Sequence, residues 1–275
     1  MWRYLAPHAD VRLAENDKTP GVVVSPACDV SNFKTETITY LPIIPVKSYF
    51  STIGFIPTLR REIAERLRSA SYQANSAWPE PGYLTPNASE IDKELASIEE
   101  RLASDKISKP ERDHLPRAAA GFRIARACAQ TEEGSLSDVA KLFGSKWAGV
   151  KHQLISNSFR SDVHFLPKDN GPNNESHLGS HSLVLFRYPM TLHAELLAAA
   201  QTHRTDQWAS FVDGYAGDSI LSRQIISMPP LKCLSIKASF LVDLLNRFTS
   251  LYSRIGSPDF SQMQIERYAS ELENG

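Results

Sequence analysis

Apolar and polar residues change their spacing several times along this chain, and each change predicts a different element. Val11 to Leu13 and Gly21 to Ser25 are rich in β-branched and apolar residues. Thr35 to Ile44 (TETITYLPII) begins with strict alternation. These runs predict strands. Cys28 to Lys34 lies between two of them and carries Asp, Ser and Asn, which predicts a turn. The N-terminal segment therefore reads as an antiparallel β unit.

From Thr58 the period lengthens. Leu59, Ile63 and Leu67 stand four apart with Arg and Glu between them, the pattern of an amphipathic helix. Pro79, Pro81, Gly82 and Pro86 mark a loop. Asn87 followed three residues later by Glu90 predicts a capping box, and Ile91, Leu95, Ile98 and Leu102 form one apolar stripe behind it. Its expected partner is Pro116 to Gln130, giving a helical hairpin. Leu136 to Ser156 holds two short helical patterns around Gly144. That spacing resembles a helix-turn-helix, with Lys141, Lys146, Lys151 and His152 on offer to phosphate. The alternative is a helical pair burying Leu142, Trp147, Val150 and Leu154.

The strand signal returns at Asp162 to Pro167 (DVHFLP) and His181 to Tyr188 (HSLVLFRY), on either side of a polar Gly- and Asn-rich loop. Met190 to His203 predicts a helix and Ser219 to Met228 a strand. Phe240 to Ile255 keeps helical spacing until Gly256 and Pro258.

Each β portion is too small to bury a face alone. The expected fold class is α+β: an SH3-like antiparallel β-barrel split by a large helical insertion, with a C-terminal amphipathic helix. Residues 1–54 and 159–232 would form the split barrel, 55–158 the insertion, 233–260 the helix and 261–275 a polar tail.

Composition narrows the function classes. The 275 residues are 42% hydrophobic and 22% charged, ordinary for a globular chain. Lys plus Arg total 30 and Asp plus Glu 31, so the net charge is −1 and no global field favours a polyanion. Nucleic-acid binding would need a local patch. The opening MWRYLAPHAD lacks the apolar core of a signal peptide, and no apolar run reaches a membrane span. Cys28, Cys128 and Cys233 form no CxxC pair, which points to a reducing cytoplasm, and Cys128 and Cys233 read as packing residues. No cofactor and no metal is expected; the partner expected is another protein.

The segment GVVVSPACDVSNFKTETITYLPI carries a resemblance. Pro20, the strand Val22 to Ser25, the loop residue Asn32 and the closing Pro42-Ile43 resemble the MazF/PemK-like toxin fold, a small SH3-like barrel. The resemblance implies RNA cleavage by an Arg before the strand's Pro and a Thr after the second Pro-Ile. This chain has Thr19 and Ile44 there, which can supply neither a guanidinium nor a hydroxyl at the respective positions. Arg12 or Arg187 would have to substitute in space. A second set, Ser25-Pro-Ala-Cys28-Asp29, Glu36, Phe165-Leu166-Pro167 and Arg254-Ile-Gly256-Ser-Pro258, resembles in its order an uncharacterised bacterial family with a Ser-x-x-Cys-Asp motif. Its genomic neighbours imply signalling or phage defence.

Cys28 and Asp29 are the candidate chemistry. A nucleophilic thiolate needs a His, a cation or a helix N-terminus, and Asp29 opposes it by charge. His164, His177 or His181 would have to approach in space, for catalysis or for a metal. Otherwise Cys28 packs and Asp29 shapes the turn. The leading expectation is a non-catalytic binding or regulatory component with a degenerate barrel, in phage defence or stress signalling. Cys28, Asp29, Asn32 and Glu36 would form its working groove, with His177 and His181 as further binding candidates. The alternatives are a hydrolase or nuclease centred on Cys28, Asp29 and a histidine such as His164, and a DNA-binding regulator using residues 136–156.

Overall fold

The structure is a computed structural model that describes residues 2–5, 19–32, 34–75, 77–80, 82–168, 178–202, 207, 208, 210, 211, 231, 232, 235–253 and 261–264. Its organising element is the nine-residue strand β3 (Thr37–Pro45). β1 (Trp2–Leu5) and β2 (Thr19–Val23) precede it. A one-turn helix, α1 (Ala27–Ser31), joins β2 to β3. β4 (Val163–Leu166), β5 (Ser182–Leu185), β6 (Met190–His193) and β7 (Leu231–Lys232) complete the described strands. All pairings among these strands are antiparallel, in the order β4-β5-β3-β2-β1-β7, and β6 also pairs with β3.

β5 and β6 lie along the same edge of β3. Ile43 opposes Val184, and Tyr40 opposes Met190. Between these pairs β3 has only Leu41 and Pro42, whereas the opposing chain runs from Leu185 to Pro189. The surplus loops out of the ladder, as a bulge does. Pro42 sits opposite that loop, where its missing N–H costs no ladder bond. The phase supports this: Thr39 bonds to the β2 side, and Val46 donates to His181 on the other.

Five helices lie between residues 56 and 155: α3 (Ile56–Ser69), α4 (Ala88–Leu102), α5 (Lys109–Gln130), α6 (Leu136–Phe143) and α7 (Trp147–Ile155). A short helix, α2 (Val46–Tyr49), leads into them directly from β3. The predicted capping box is present: Asn87 Oδ1 accepts from Glu90 N (2.9 Å) and the Glu90 carboxylate accepts from Asn87 N (3.2 Å). Ser108 and Glu111 cap α5 in the same way. α5 is central and packs on α3, α4 and α6, so the expected α4–α5 hairpin is realised. Gly121 lets α3 come close, since a Cβ there would lie 2.4 Å from Ile63 Cγ1. Gly144 ends α6 with φ +57°, and Arg117 Nη2 donates to the Phe143 carbonyl at 2.7 Å, a cation at a helix C-terminus.

The main core joins helices and sheet. Ile44, Leu183 and Leu185 from the strands pack in one cluster with Phe50, Phe55, Leu59, Ile63, Phe122 and Leu142. The Phe50 and Phe55 rings meet edge to face at 5.0 Å between centroids. A second cluster gathers Ile38, Tyr40 and Leu192 with Leu196, Leu197 and Trp208, under α8 (Ala194–Thr202). The chain forms two compact units, Met1–Lys237 and Ala238–Gly275. The second contains helix α9 (Ala238–Tyr252), on the pattern expected for the terminal helix.

The α+β class with an antiparallel sheet is as read from the sequence, but the sheet is open and not a closed barrel. Among the described residues β4 and β7 do not pair with each other. The outward amide of Phe165 on β4 is taken by the Asn157 side chain, which blocks further pairing at that edge. Two local expectations also change. Cys28 to Lys34 contains a helical turn. Met190 to His203 opens as β6 before turning helical, because Thr37–Tyr40 offer it a ladder that local propensity does not show. The strands expected at Val11 to Leu13 and Ser219 to Met228, together with Arg12, His177, Cys233, Arg254, Gly256 and Pro258, lie outside the described residues.

Candidate functional site

The strand-to-helix turn after β3 builds one wall of a cleft. Residues 48–55 fold as consecutive tight turns, Ser51 N to Ser48 O, Thr52 N to Tyr49 O and Phe55 N to Thr52 O. These turns fix the direction of Tyr49 and leave the Gly54 carbonyl accessible from β4. The opposite wall is the start of β4, and the loop of Leu185–Pro189 closes a third side. The cleft, about 430 Å³, is lined by Tyr49, Ile53, Gly54, Pro57 and Tyr83 from the helical side and by Arg160, Asp162, Val163, Leu185, Arg187 and Tyr188 from the sheet side. That volume lies in the range of small-molecule sites.

An Arg–Asp–Arg cluster occupies its floor. Arg160 grips Asp162 with two parallel bonds, Nε to Oδ1 (2.7 Å) and Nη2 to Oδ2 (2.6 Å), and its Nη1 donates to the Gly54 carbonyl (2.9 Å). Arg187 Nε donates to Asp162 Oδ2 at 3.0 Å. Asp162 is thus shared by two guanidiniums: the bidentate pair fixes the plane of Arg160, while Arg187 is tied through Nε alone. Arg160 has used its fork on protein groups. The Nη1 and Nη2 edge of Arg187 has no hydrogen-bond partner among the described residues, and the side chain is 63% exposed.

Burial alone would raise the Asp162 pKa; the Arg160 hydrogen bonds and the charges of Arg160 and Arg187 outweigh it and hold the carboxyl below its usual range. The Asp162 bonds raise Arg160 in turn, against the effect of its burial. Tyr49 is 1% exposed, and its hydroxyl has no partner among the described residues. Burial pushes that phenol up, with Arg160 acting against it and Asp162 and Tyr188 with it, so it stays a proton donor. A buried donor without an acceptor costs about 1–3 kcal/mol.

Of the residues singled out from the sequence, Cys28, Asp29 and Asn32 meet on one turn, and His177 lies outside the described residues. Cys28 is exposed on α1, and its sulfur's polar partner is the neighbouring Asp29 Oδ1 at 3.5 Å. Asn32 Nδ2 donates to the Cys28 carbonyl at 2.7 Å, closing the helical turn. Glu36 is exposed, and its carbonyl accepts from Ala194 N. His164 is 1% exposed and stacks on Phe186 with centroids 6.1 Å apart. His181 Nδ1 accepts from Lys168 N at 3.1 Å. Neither described histidine hydrogen-bonds Cys28. Among the described residues no group of three His, Cys, Asp or Glu is placed to hold a metal ion, and no helix is long and apolar enough to cross a membrane.

In the helix pair around Gly144, Leu142, Val150 and Leu154 are buried, while Lys146 pairs with Glu65 at 3.0 Å and Lys151 lies over the Trp147 ring. Cys128 packs as expected, and burial raises its thiol to about 12.

Sequence reasoning missed Tyr49, Arg160 and Asp162 as site residues and met Arg187 only as a substitute cation. A signal was present: Arg160 and Asp162 stand two apart just before an apolar strand, which puts them on one side of extended chain. Arg187-Tyr188-Pro189 interrupts an otherwise apolar run in the same way.

No protein-family model, curated protein or solved structure matches this chain.

Proposed function

We propose that this protein is a non-catalytic binding component whose cleft holds a small anionic ligand. The observation that carries the reading is the Nη1 and Nη2 edge of Arg187, which has no hydrogen-bond partner among the described residues while its Nε is tied to Asp162. The free Nη1 and Nη2 edge of a guanidinium offers two parallel donors to an oxyanion. Asp162 and Arg160 act as positioning residues for it.

Two further observations favour binding over catalysis. Ile44, which stands where the MazF-like enzymes keep a Thr, is 1% exposed inside the main core and cannot reach RNA. Among the described residues the polar partner of the Cys28 sulfur is Asp29, whose carboxylate opposes a thiolate by charge. On this proposal the open sheet is a widened relative of the SH3-like barrel. The setting in phage defence or stress signalling rests on the sequence resemblance.

Calorimetric titration with aryl carboxylates and aryl phosphates tests the reading. Saturable binding is expected, weakened about tenfold or more in Arg187→Gln, the order expected when a charge-assisted hydrogen bond is lost. Absence of saturable binding throughout, or equal affinity in the variant, overturns it.

A further inference from the structure

Resting on the anion-binding reading above, we infer that the occupant carries a single negative charge on a flat ring: an aryl or heteroaryl monoanion, not a dianionic phosphomonoester. Charge sets the first part. Among the described residues that line the cleft, the charged side chains are Arg160, Arg187 and Asp162. Asp162 neutralises one guanidinium, and one positive charge is left. Arg60, which lies against Gly82 at the base of the Tyr83 loop, adds nothing to this sum because it is paired with Glu80 at 2.6 Å. A monoanion cancels the remaining charge. A dianion would leave one charge uncompensated in a site walled largely by apolar groups, where taking an unpaired charge out of water is costly.

The second part follows from the walls. Ile53, Pro57, Val163 and Leu185 are apolar, and Tyr83 and Tyr188 add ring faces. Tyr83 is 58% exposed, so its ring is open to a stacking partner at the rim. The remaining hydrogen-bond demand of the site is therefore for oxygen lone pairs, and the remaining charge demand is for one unit.

Carboxylates and phosphodiesters share this chemistry, and matched probes separate them. Calorimetry at pH 8 would compare benzoate with isophthalate, and methyl phenyl phosphate with phenyl phosphate. The monoanion of a pair is expected to bind about tenfold more tightly than the dianion, the order set by one unpaired charge at such distances. Binding confined to one pair identifies the oxyanion class. Phenyl phosphate should tighten as pH falls from 8 to 5, through its second ionisation near 6, while benzoate should not. Arg187→Gln, which removes the surplus charge from an exposed side chain, should abolish the preference for the monoanion. Equal or tighter binding of the dianion overturns this inference and leaves anion binding intact. Failure of all four probes to bind overturns both.

Discussion

Asp162 shows how one side chain can hold a local structure and tune its chemistry together. It accepts from Arg160 and Arg187 and is 9% exposed, so replacing it leaves two guanidiniums facing each other. Breaking a fully buried pair costs about 3–5 kcal/mol. Because Arg187 is 63% exposed, Asp162→Asn is expected to cost roughly 2–3 kcal/mol in urea unfolding. The folded pKa of Asp162 lies below the unfolded value, so the pairing stabilises the fold above about pH 4 and is lost as pH falls through the lower folded value. Glu111 behaves alike: hydrogen bonds from Arg101 and then from Ser108 take its carboxyl from the ordinary 4.5 to about 2. Its contribution is complete above pH 4.5 and disappears by about pH 2. Glu111→Gln keeps the capping geometry and should flatten that part of the acid limb, read from urea midpoints measured against pH. An unchanged acid limb would show that the Arg101 pair is not felt.

At the scale of elements, packing and not propensity decides which contacts matter. α3 and α5 cross where Gly121 has no side chain, and Ile63 fills the space. Gly121→Ala raises helix propensity by about 1 kcal/mol, yet its Cβ would meet Ile63 Cγ1 at 2.4 Å. Overpacking of this kind costs about 1–3 kcal/mol, so net destabilisation is expected. The double variant with Ile63→Val should not recover all of it, because Cγ1, the nearest atom, remains in Val. A stabilised Gly121→Ala protein would show that the two helices separate without penalty. Capping boxes at Asn87 and Ser108 were legible in the sequence, or share a legible pattern, because their donors and acceptors lie three residues apart. β6 was not legible: its register depends on Thr37–Tyr40, about 150 residues away in sequence.

For the whole molecule, the main core runs without interruption from the helices to β3, β4 and β5. Helices and strands of Met1–Lys237 should therefore unfold together. Ile44→Ala, a change in β3, is expected to cost about 2–5 kcal/mol and to shift helical circular dichroism and tryptophan fluorescence to the same lower urea midpoint. Separate transitions for the two signals would show that the helical segment is an independent folding unit. The cleft depends on the same continuity. Its walls come from the α2–α3 turn, the Tyr83 loop, β4 and the β5–β6 loop, which only the joined core brings together.

The sequence by itself determined what repeats within a few residues. It specified the α+β class, the amphipathic helices from Leu59 to Leu154, the cap at Asn87, and strands over Thr35 to Ile44 and Asp162 to Pro167, because side-chain periodicity and capping are local properties of the chain. The tertiary structure decided the rest. It left the sheet open, since an edge amide on β4 meets Asn157 and not another strand. It kept Cys28 apart from the described histidines, and it set Tyr49, Arg160, Asp162 and Arg187 around one cleft. Charge pairing and burial act through space, and residues 49 and 187 have no relation until β3 and β5 have paired.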